Sequence, residues 1–489
     1  MCLAAIACAV ITAPPPPDAP GLLNLAAQHN TQVERIPEDQ RAWPLYAKAS
    51  ALLELCGDPT PKGSLPFLTP DWDEYTNWLQ DNETQQVVRL FHDAAMRPRM
   101  GMPVSIQTPP ILAAERSRLG LEPIESSSPH AYPYILWLDA SHMQSIRSSA
   151  RLLCSQAVLD MQLGNPDAAA DHIIAAINSG SHGPMPPLLL GQLVETAAYT
   201  WVSETITHML SRKVRWDDRH LASIQHRLMQ IDPSSPIDMR WEHQGVVQIT
   251  RQMYEINGSL VENPGERFEM LFGGDFFEYS GMSRNQLEEH ASDPPTLIAD
   301  LAYSLTTIQG LQKYSAVPPW KREFRWQNGS QNPIAIERLA DPGTTEPPYP
   351  IVSVALQANY SGILNARLCA WARINAAIVA LALNRHQLRH DTWPKTIDAV
   401  DPELLEQLPS QYIFDPFTGN PLLYKLTDVG PVVYSTGPDR DDDDARPLHN
   451  PNERRPLMPR WIPDWLIERA LENDPETYDG DWVLYPPQP

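Results

Sequence analysis

Five aspartates stand within six residues near the end of the chain, in the stretch YSTGPDRDDDDARP that spans residues 434–447. Carboxylates this close together repel one another unless a cation offsets their charge. Calcium takes roughly six to eight hard oxygen ligands, which aspartates supply at short sequence spacing. The run therefore predicts a calcium-binding loop, with an ordinary solvated acidic turn as the alternative. The candidate Ca2+ ligands are Asp439, Asp441, Asp442, Asp443 and Asp444.

The acidic run does not have the pattern of an EF-hand. Asp439, Asp441 and Asp443 match the first three alternating ligand positions of that motif. Asp444, however, stands where the motif requires glycine, and Asn450 stands where it requires a bidentate glutamate. Backbone carbonyls and water are therefore expected to complete a calcium shell at this loop.

Two histidines, His386 and His390, are four residues apart near the end of a long helical pattern, with Asp391 beside them. Histidines at this spacing lie on one face of a helix and can share a zinc ion. The sequence offers no third ligand at a clear spacing, and cationic side chains are ordinary near a helix C-terminus. The pattern therefore favours a plain helix end over a zinc site.

Two groups of acidic residues are candidates for glycan hydrolysis, which uses a pair of carboxylates. Acidic residues are also typical of the first turn of a helix, which explains both groups more simply. The sequence contains no nucleophile elbow, phosphate-binding loop, HExxH zinc motif or CxxC pair. An enzyme is therefore the alternative, and no catalytic residue is assigned. The two groups are Glu288, Glu289 and His290, and Asp71, Asp73 and Glu74 beside Trp72 and Tyr75.

Composition limits the class of protein. The net charge of -23 argues against nucleic acid or anionic lipid as a main partner. The 50 prolines among 489 residues are about twice average usage, so helices must fit between prolines and loops are stiffened. The five cysteines have neither a disulfide-framework nor a zinc spacing, and we expect free thiols. No apolar run reaches the 18 or so residues that an integral membrane span needs.

The first 20 residues, MCLAAIACAVITAPPPPDAP, hold an apolar run followed by a proline block. This pattern resembles the apolar core of a signal peptide that lacks its basic leader, so residues 1–20 are interpreted as a truncated signal or anchor segment. A frayed apolar terminus is the alternative. The signal-peptide interpretation predicts an extracytoplasmic protein of the cell envelope.

Helical periodicity dominates the rest of the chain, which is predicted to be mainly α. Residues 146–180 read as two helices joined by a Gly-Asn-Pro-Asp turn, a hairpin of the tetratricopeptide type inside a multi-helical bundle. After Pro421 the apolar period changes to two, which predicts a small antiparallel sheet. The predicted parts are an N-terminal helical region at 21–129, an all-helical domain at 130–315, a Pro/Trp-rich linker at 316–360 and a C-terminal module at 361–489.

The module resembles the periplasmic domain of type II secretion major pseudopilins. The matching stretches are Trp393-Pro394, DPFTGNPLLY at 415–424 and YSTGPDRDDDD at 434–444, in that order after a long helix. The resemblance implies an α+β module, with a long helix on a small antiparallel sheet and a loop that binds calcium. In the pseudopilins the helix lies at the extreme N-terminus, whereas here it follows more than 350 residues. The whole layout resembles large bacterial envelope proteins that carry this module.

These observations together predict a non-enzymatic scaffold or interaction protein of the cell envelope, with a calcium-stabilised C-terminal module and protein partners in the envelope. The alternative is an extracytoplasmic hydrolase of the glycan type that uses a carboxylate pair in the helical domain. A deep pocket with convergent polar groups at 130–315 would favour the enzyme.

Overall fold

A computed structural model describes residues 20–59, 65–105, 108–124, 141–183, 187–212, 216–232, 235–245, 360–405, 414–437, 442–447 and 480–486, with a few residues between 308 and 321. Within these ranges the protein is mainly helical and carries a small antiparallel sheet near its C-terminus, as the sequence predicts. The helices are α1 (Pro20–Glu34), α2 (Trp43–Cys56), α3 (Trp72–Leu79), α4 (Asn82–Ala95), α5 (Pro110–Arg118), α6 (Ser141–Gln162), α7 (Pro166–Ser181), α8 (Leu189–Ser211), α9 (Asp218–Leu228), α10 (Tyr360–His390) and α11 (Pro402–Leu405). The strands are β1 (Leu423–Thr427), β2 (Gly430–Ser435) and β3 (Trp482–Tyr485).

The N-terminal helices share a core with the helices that follow them. Trp43, Tyr46 and Phe91 are almost fully buried where α2 and α4 meet. The Tyr46 hydroxyl donates a hydrogen bond of 3.3 Å to Ser179 Oγ and lies 3.0 Å from His182 Nδ1, at the end of α7. Because these partners are more than 130 residues away in sequence, the N-terminal region packs as part of the helical bundle.

Helices α6 and α7 form the hairpin that the sequence predicts. Gly164 has a φ of 80°, and the Asn165 amide donates 2.8 Å to the Asp160 carbonyl, which closes α6 as a Schellman turn does. Pro166 then stands in the first turn of α7, where its missing N–H costs nothing. The Asn165 side chain makes no capping hydrogen bond, so the turn depends on backbone geometry. Likeness of this hairpin to a tetratricopeptide repeat stays a prediction.

Helix α10 is the central element of the described fold. It packs against α8 and α9 on one side and against β2 and β3 on another, so one apolar core continues from the bundle to the sheet. Residues such as Ala376, Ile378 and Leu381 are fully buried. The segment Ala366–His390 is long and apolar enough to cross a membrane, but 89% of its most apolar window is buried inside the protein. Burial of this kind is what a core helix also shows.

The sheet has the order β1-β2-β3 and is antiparallel throughout. Strands β1 and β2 form the predicted hairpin, with Asp428 and Val429 between them. Strand β3 pairs with β2 at the edge of the described sheet, and all four of its residues are buried. The Asn384 side chain of α10 donates 3.2 Å to the Tyr485 hydroxyl of β3, which joins helix and sheet.

Several predictions fall on residues outside the described ranges. They concern the signal segment at 1–20, most of the linker at 316–360 and the two calcium ligands Asp439 and Asp441. Of the five cysteines, Cys56, Cys154 and Cys369 are described, and all three are free thiols.

Candidate metal centre

Residues 442–447, the described part of the acidic turn, follow strand β2 in the chain and lie beside strand β3. Gly437 has a φ of 74° directly after β2, and a Cβ atom there would come within 3.2 Å of the Trp482 ring. The chain is described again from Asp442, and the amide of Asp481 donates 2.7 Å to the Arg446 carbonyl. This backbone pairing brings the C-terminal strand against residues 442–447, so Asp481 lies close enough to Asp442 and Asp443 for their charges to interact.

Asp481 is the most deeply buried of the described carboxylates at the turn. Its relative exposure is 0%, and its Oδ2 accepts a hydrogen bond of 2.7 Å from the Ala445 amide. Its Oδ1 is also buried and has no hydrogen-bond partner among the described residues. Burial, opposed in part by backbone hydrogen bonds and increased by the nearby charges of Asp442 and Asp443, raises the pKa of Asp481 to about 6. A buried carboxylate with a free oxygen is expected to attract a cation.

The three described aspartates of the run have different surroundings. Asp442 Oδ1 accepts from the Tyr434 hydroxyl at 3.1 Å and from the Asp444 amide at 2.9 Å. Asp443 Oδ1 accepts 2.5 Å from Arg446, while its Oδ2 is buried and has no partner among the described residues. Asp444 is exposed and pairs with a lysine of β1. Asp443 and Asp481 therefore each present an unsatisfied oxygen.

The backbone of the described part of the turn is strained at two neighbouring residues. Asp444 and Ala445 have φ values of 60° and 63°, a left-handed conformation that costs a non-glycine residue about 1 kcal/mol or more. This conformation directs the Ala445 amide to Asp481 and the Asp444 amide to Asp442. Strain of this kind is typical of ligand-binding turns.

The structure describes Asp442, Asp443 and Asp444 of the predicted ligand set, whereas Asp439 and Asp441 lie outside the described ranges. Asp481 was not predicted as a ligand. It is 37 residues after Asp444, and only the pairing of β3 with β2 brings it to the turn. The sequence signal that was available is an aspartate directly before an apolar edge strand.

The histidine pair has a third neighbour, Asp401, which the spacing of the sequence does not indicate. Asp391, beside the pair in sequence, follows α10 in a left-handed conformation, with φ at 56° and its amide hydrogen-bonded to the Gln387 carbonyl. Asp401 instead meets both rings, because the chain turns back after α10. Burial lowers the pKa of His386, so its ring is neutral near pH 7.

The predicted hydrolase carboxylates are only partly described. Glu288, Glu289 and His290 lie outside the described ranges, and Asp71, Asp73 and Glu74 are exposed at the start of α3. The rings of Trp72 and Tyr75 stack beside them, with centroids 5.8 Å apart. A pocket between α7, α8, α9 and α10 is lined by apolar and aromatic side chains, so this pocket offers no convergent polar groups.

Two other glutamates of the helical bundle have unusual surroundings. Burial raises the pKa of Glu195 to about 7, although Arg367 and Tyr199 lower it. Burial likewise raises the pKa of Glu242 to about 7, although the Leu189 amide donates to its carboxylate. Their positions in apolar helical patterns gave no sequence signal of this kind.

Comparison with known proteins gives no relative for this chain. No protein-family model matches it, and no curated protein or solved structure is significantly similar to it. The arrangement of the side chains therefore carries the functional argument.

Proposed function

We propose that the chain is a non-enzymatic scaffold or interaction protein of the cell envelope, in which calcium stabilises the C-terminal sheet at the acidic turn. The calcium part of the proposal is supported by the two unsatisfied, buried oxygens Asp443 Oδ2 and Asp481 Oδ1. The envelope location and the protein partners are supported by the apolar start and the pseudopilin resemblance. The non-enzymatic part is supported by the lack of catalytic motifs in the sequence.

The charge of the turn favours a divalent ion. Asp442, Asp443, Asp444 and Asp481 carry four negative charges, and Lys425 and Arg446 offset two of them through ion pairs of 2.7 and 2.5 Å. Two of these four charges remain, and Asp439 and Asp441, offset in part by Arg440, add to them, so the turn carries at least the negative charge that one Ca2+ balances. Oxygen donors alone are the ligands that calcium prefers. Asp439 and Asp441 remain predicted ligands, which backbone carbonyls and water would supplement.

Thermal unfolding of the whole chain tests the calcium site. The whole chain is needed because α10 is buried against α8 and α9, so a fragment that begins at α10 would expose apolar surface. We expect a dissociation constant of roughly 0.1 to 1 mM, as in extracellular calcium modules. At ten times that constant, calcium should add about 1.4 kcal/mol to the free energy of unfolding. Magnesium and chelator are the comparison conditions.

Matched variants separate the site from general charge effects. Asp443→Asn and Asp481→Asn should lose the calcium response, whereas Asp428→Asn, at the exposed end of the β1–β2 hairpin, should keep it. An unchanged response in the first two variants, or equal midpoints in calcium, magnesium and chelator, would make the turn an ordinary solvated one.

Cell fractionation tests the location. The protein should be recovered outside the cytoplasm, together with envelope components. Purely cytosolic protein with an intact apolar start would contradict the envelope proposal.

An extracytoplasmic hydrolase of the glycan type is the second candidate. It is favoured by Glu195 and Glu242, two carboxyls of the helical bundle whose pKa near 7 suits a general acid. Release of reducing sugar from peptidoglycan or related glycans by the wild type, abolished in Glu195→Gln, would support this candidate over the scaffold.

A further inference from the structure

The end of α10 and the segment that follows it bring two imidazoles and a carboxylate together. His390 Nε2 lies 2.9 Å from Asp401 Oδ1, and His386 Nδ1 lies 3.5 Å from the same oxygen. The two rings have centroids 4.4 Å apart. One ligand atom from each residue lies within 4.8 Å of the other two. We propose that His386, His390 and Asp401 form a binding site for a divalent transition metal, of which zinc is the best match.

The distances suit a small ion with short bonds. Zinc binds histidine nitrogen and carboxylate oxygen at about 2.0 to 2.2 Å, so neighbouring ligands of a tetrahedral ion lie about 3.3 Å apart. The two contacts to Asp401 bracket that value, at 2.9 and 3.5 Å. Small side-chain rotations would therefore complete the shell, and the helix keeps the two rings on one face.

The donor set distinguishes this site from the acidic turn. Two imidazole nitrogens and one carboxylate suit zinc, nickel or copper, whereas calcium and magnesium prefer oxygen ligands alone. The Asp401 amide donates a hydrogen bond of 3.3 Å to His386 Nδ1, so this nitrogen has a lone pair available. A metal ion would replace the amide as the partner of that lone pair.

The surroundings provide support for the carboxylate. Arg389 lies between the two histidines in sequence, and its Nη1 is 3.4 Å from Asp401 Oδ2, the oxygen farther from the rings. Its charge is shared with Asp218 and Glu403, at 3.2 and 3.6 Å. Arg389 thus orients Asp401 as outer-shell partners of metal ligands do, while other carboxylates balance its charge.

The site would have an open position. The side chains of His390 and Asp401 are 47% and 24% exposed, whereas that of His386 is 10% exposed. Water can therefore occupy a fourth coordination position. The bound ion would join the C-terminal end of α10 to the start of α11, which Asp401 precedes.

Metal titration of the whole chain tests this inference. Protein freed of metal with a chelator and then held in excess calcium, which occupies the acidic turn, is titrated with zinc chloride by calorimetry. We expect one zinc ion per chain, and visible absorption typical of tetrahedral cobalt when Co2+ is used instead. His390→Ala and Asp401→Asn should each weaken zinc binding about tenfold or more.

The control is His226→Ala, which removes an exposed histidine of α9 that is hydrogen-bonded to Gln230. This variant should bind zinc as the wild type does. Circular dichroism in chelator should show that His390→Ala is folded, because that side chain is half-exposed. Zinc binding of equal strength in His390→Ala and the wild type, or no zinc binding by folded wild type, would overturn the proposal.

Discussion

Arg385 on α10 donates a hydrogen bond of 2.6 Å from its Nε to Oδ1 of Asp218, the first residue of α9. Its Nη1 also donates a hydrogen bond of 2.8 Å to Gln225, about two helical turns further along α9. The pair thus joins two residues that are 167 positions apart in the chain, and the carboxylate lies where the α9 dipole also favours negative charge.

Replacing Arg385 with glutamine should lower the free energy of unfolding by about 1 to 2 kcal/mol near neutral pH. This expected loss is smaller than that for a fully buried ion pair because Asp218 is 39% exposed. Urea unfolding measures the change. Arg219→Gln, which removes an exposed pair with Asp167, is the control and should cost less than about 0.5 kcal/mol.

Arg385→Gln should lower the free energy of unfolding by less in acid than near neutral pH. The hydrogen bond from Arg385 lowers the pKa of Asp218 below 3.8. A carboxyl whose folded pKa is lowered contributes stability above its unfolded pKa, and this contribution disappears as the pH falls through the folded pKa. The difference between wild type and Arg385→Gln should therefore shrink below pH 3.8. A constant difference would mean that packing, and not the ion pair, causes the loss.

Asp481 should make the calcium-free protein less stable as the pH rises. Its folded pKa is raised from 3.8 to about 6, so the folded state holds the proton more tightly than the unfolded state. The corresponding stability is present below pH 3.8 and is lost as the pH rises through about 6. In chelator, the free energy of unfolding of Asp481→Asn should therefore rise relative to that of the wild type as the pH increases over this window, by at most about 3 kcal/mol. Parallel pH profiles of unfolding would refute this assignment.

Glu195 should give a similar profile at higher pH. Because burial raises its pKa from 4.5 to about 7, its ionisation in the folded state is unfavourable. Stability should decline between these two pH values in the wild type but less in Glu195→Gln, with a difference of roughly 1 to 3 kcal/mol at pH 8. Guanidinium unfolding from pH 4 to pH 8 would measure it. Glu38→Gln, which changes an exposed carboxyl, should follow the wild-type profile.

Gly180 should not tolerate a methyl group, although alanine normally stabilises a helix by roughly 0.5 to 1 kcal/mol over glycine. A Cβ atom at Gly180 would come within 2.6 Å of the Tyr199 ring, where α7 packs against α8. Gly180→Ala should therefore destabilise the protein by about 1 to 3 kcal/mol. Thermal unfolding checks the sign, with the exposed Ser181→Ala on the same helix as the control. A raised midpoint in Gly180→Ala would show that the ring moves aside easily.

Local patterns in the sequence predicted local structure well. The turn at Gly164 and Pro166 and the β1–β2 hairpin around Asp428 each depend on residues that are close in the chain. The contents of the candidate sites depend on distant pairings. Asp481 reaches the acidic turn through a strand pairing, and Asp401 reaches the histidines through the reversal after α10. No spacing rule predicts either meeting, because the intervening chain sets the geometry.

The packing of α10 was unpredictable for a different reason. Its apolar residues cover all sides of the helix, so the sequence does not indicate which face meets which neighbour. The pseudopilin resemblance implies packing of this helix against the sheet alone. In the structure α8 and α9 cover another side.

The position of α10 in the chain has a consequence for biosynthesis. Leu189 begins α8, and Tyr360 begins the helix that covers it, so 171 residues are translated between them. At about 5 to 20 residues per second this takes roughly 10 to 30 seconds. During this translation time the apolar surface of α8 that α10 later covers is exposed. The time is long enough for many encounters with other nascent chains. Vectorial folding from the N-terminus should therefore pause at an intermediate that depends on chaperones, and substitutions that slow translation of the 246–359 stretch should increase aggregation.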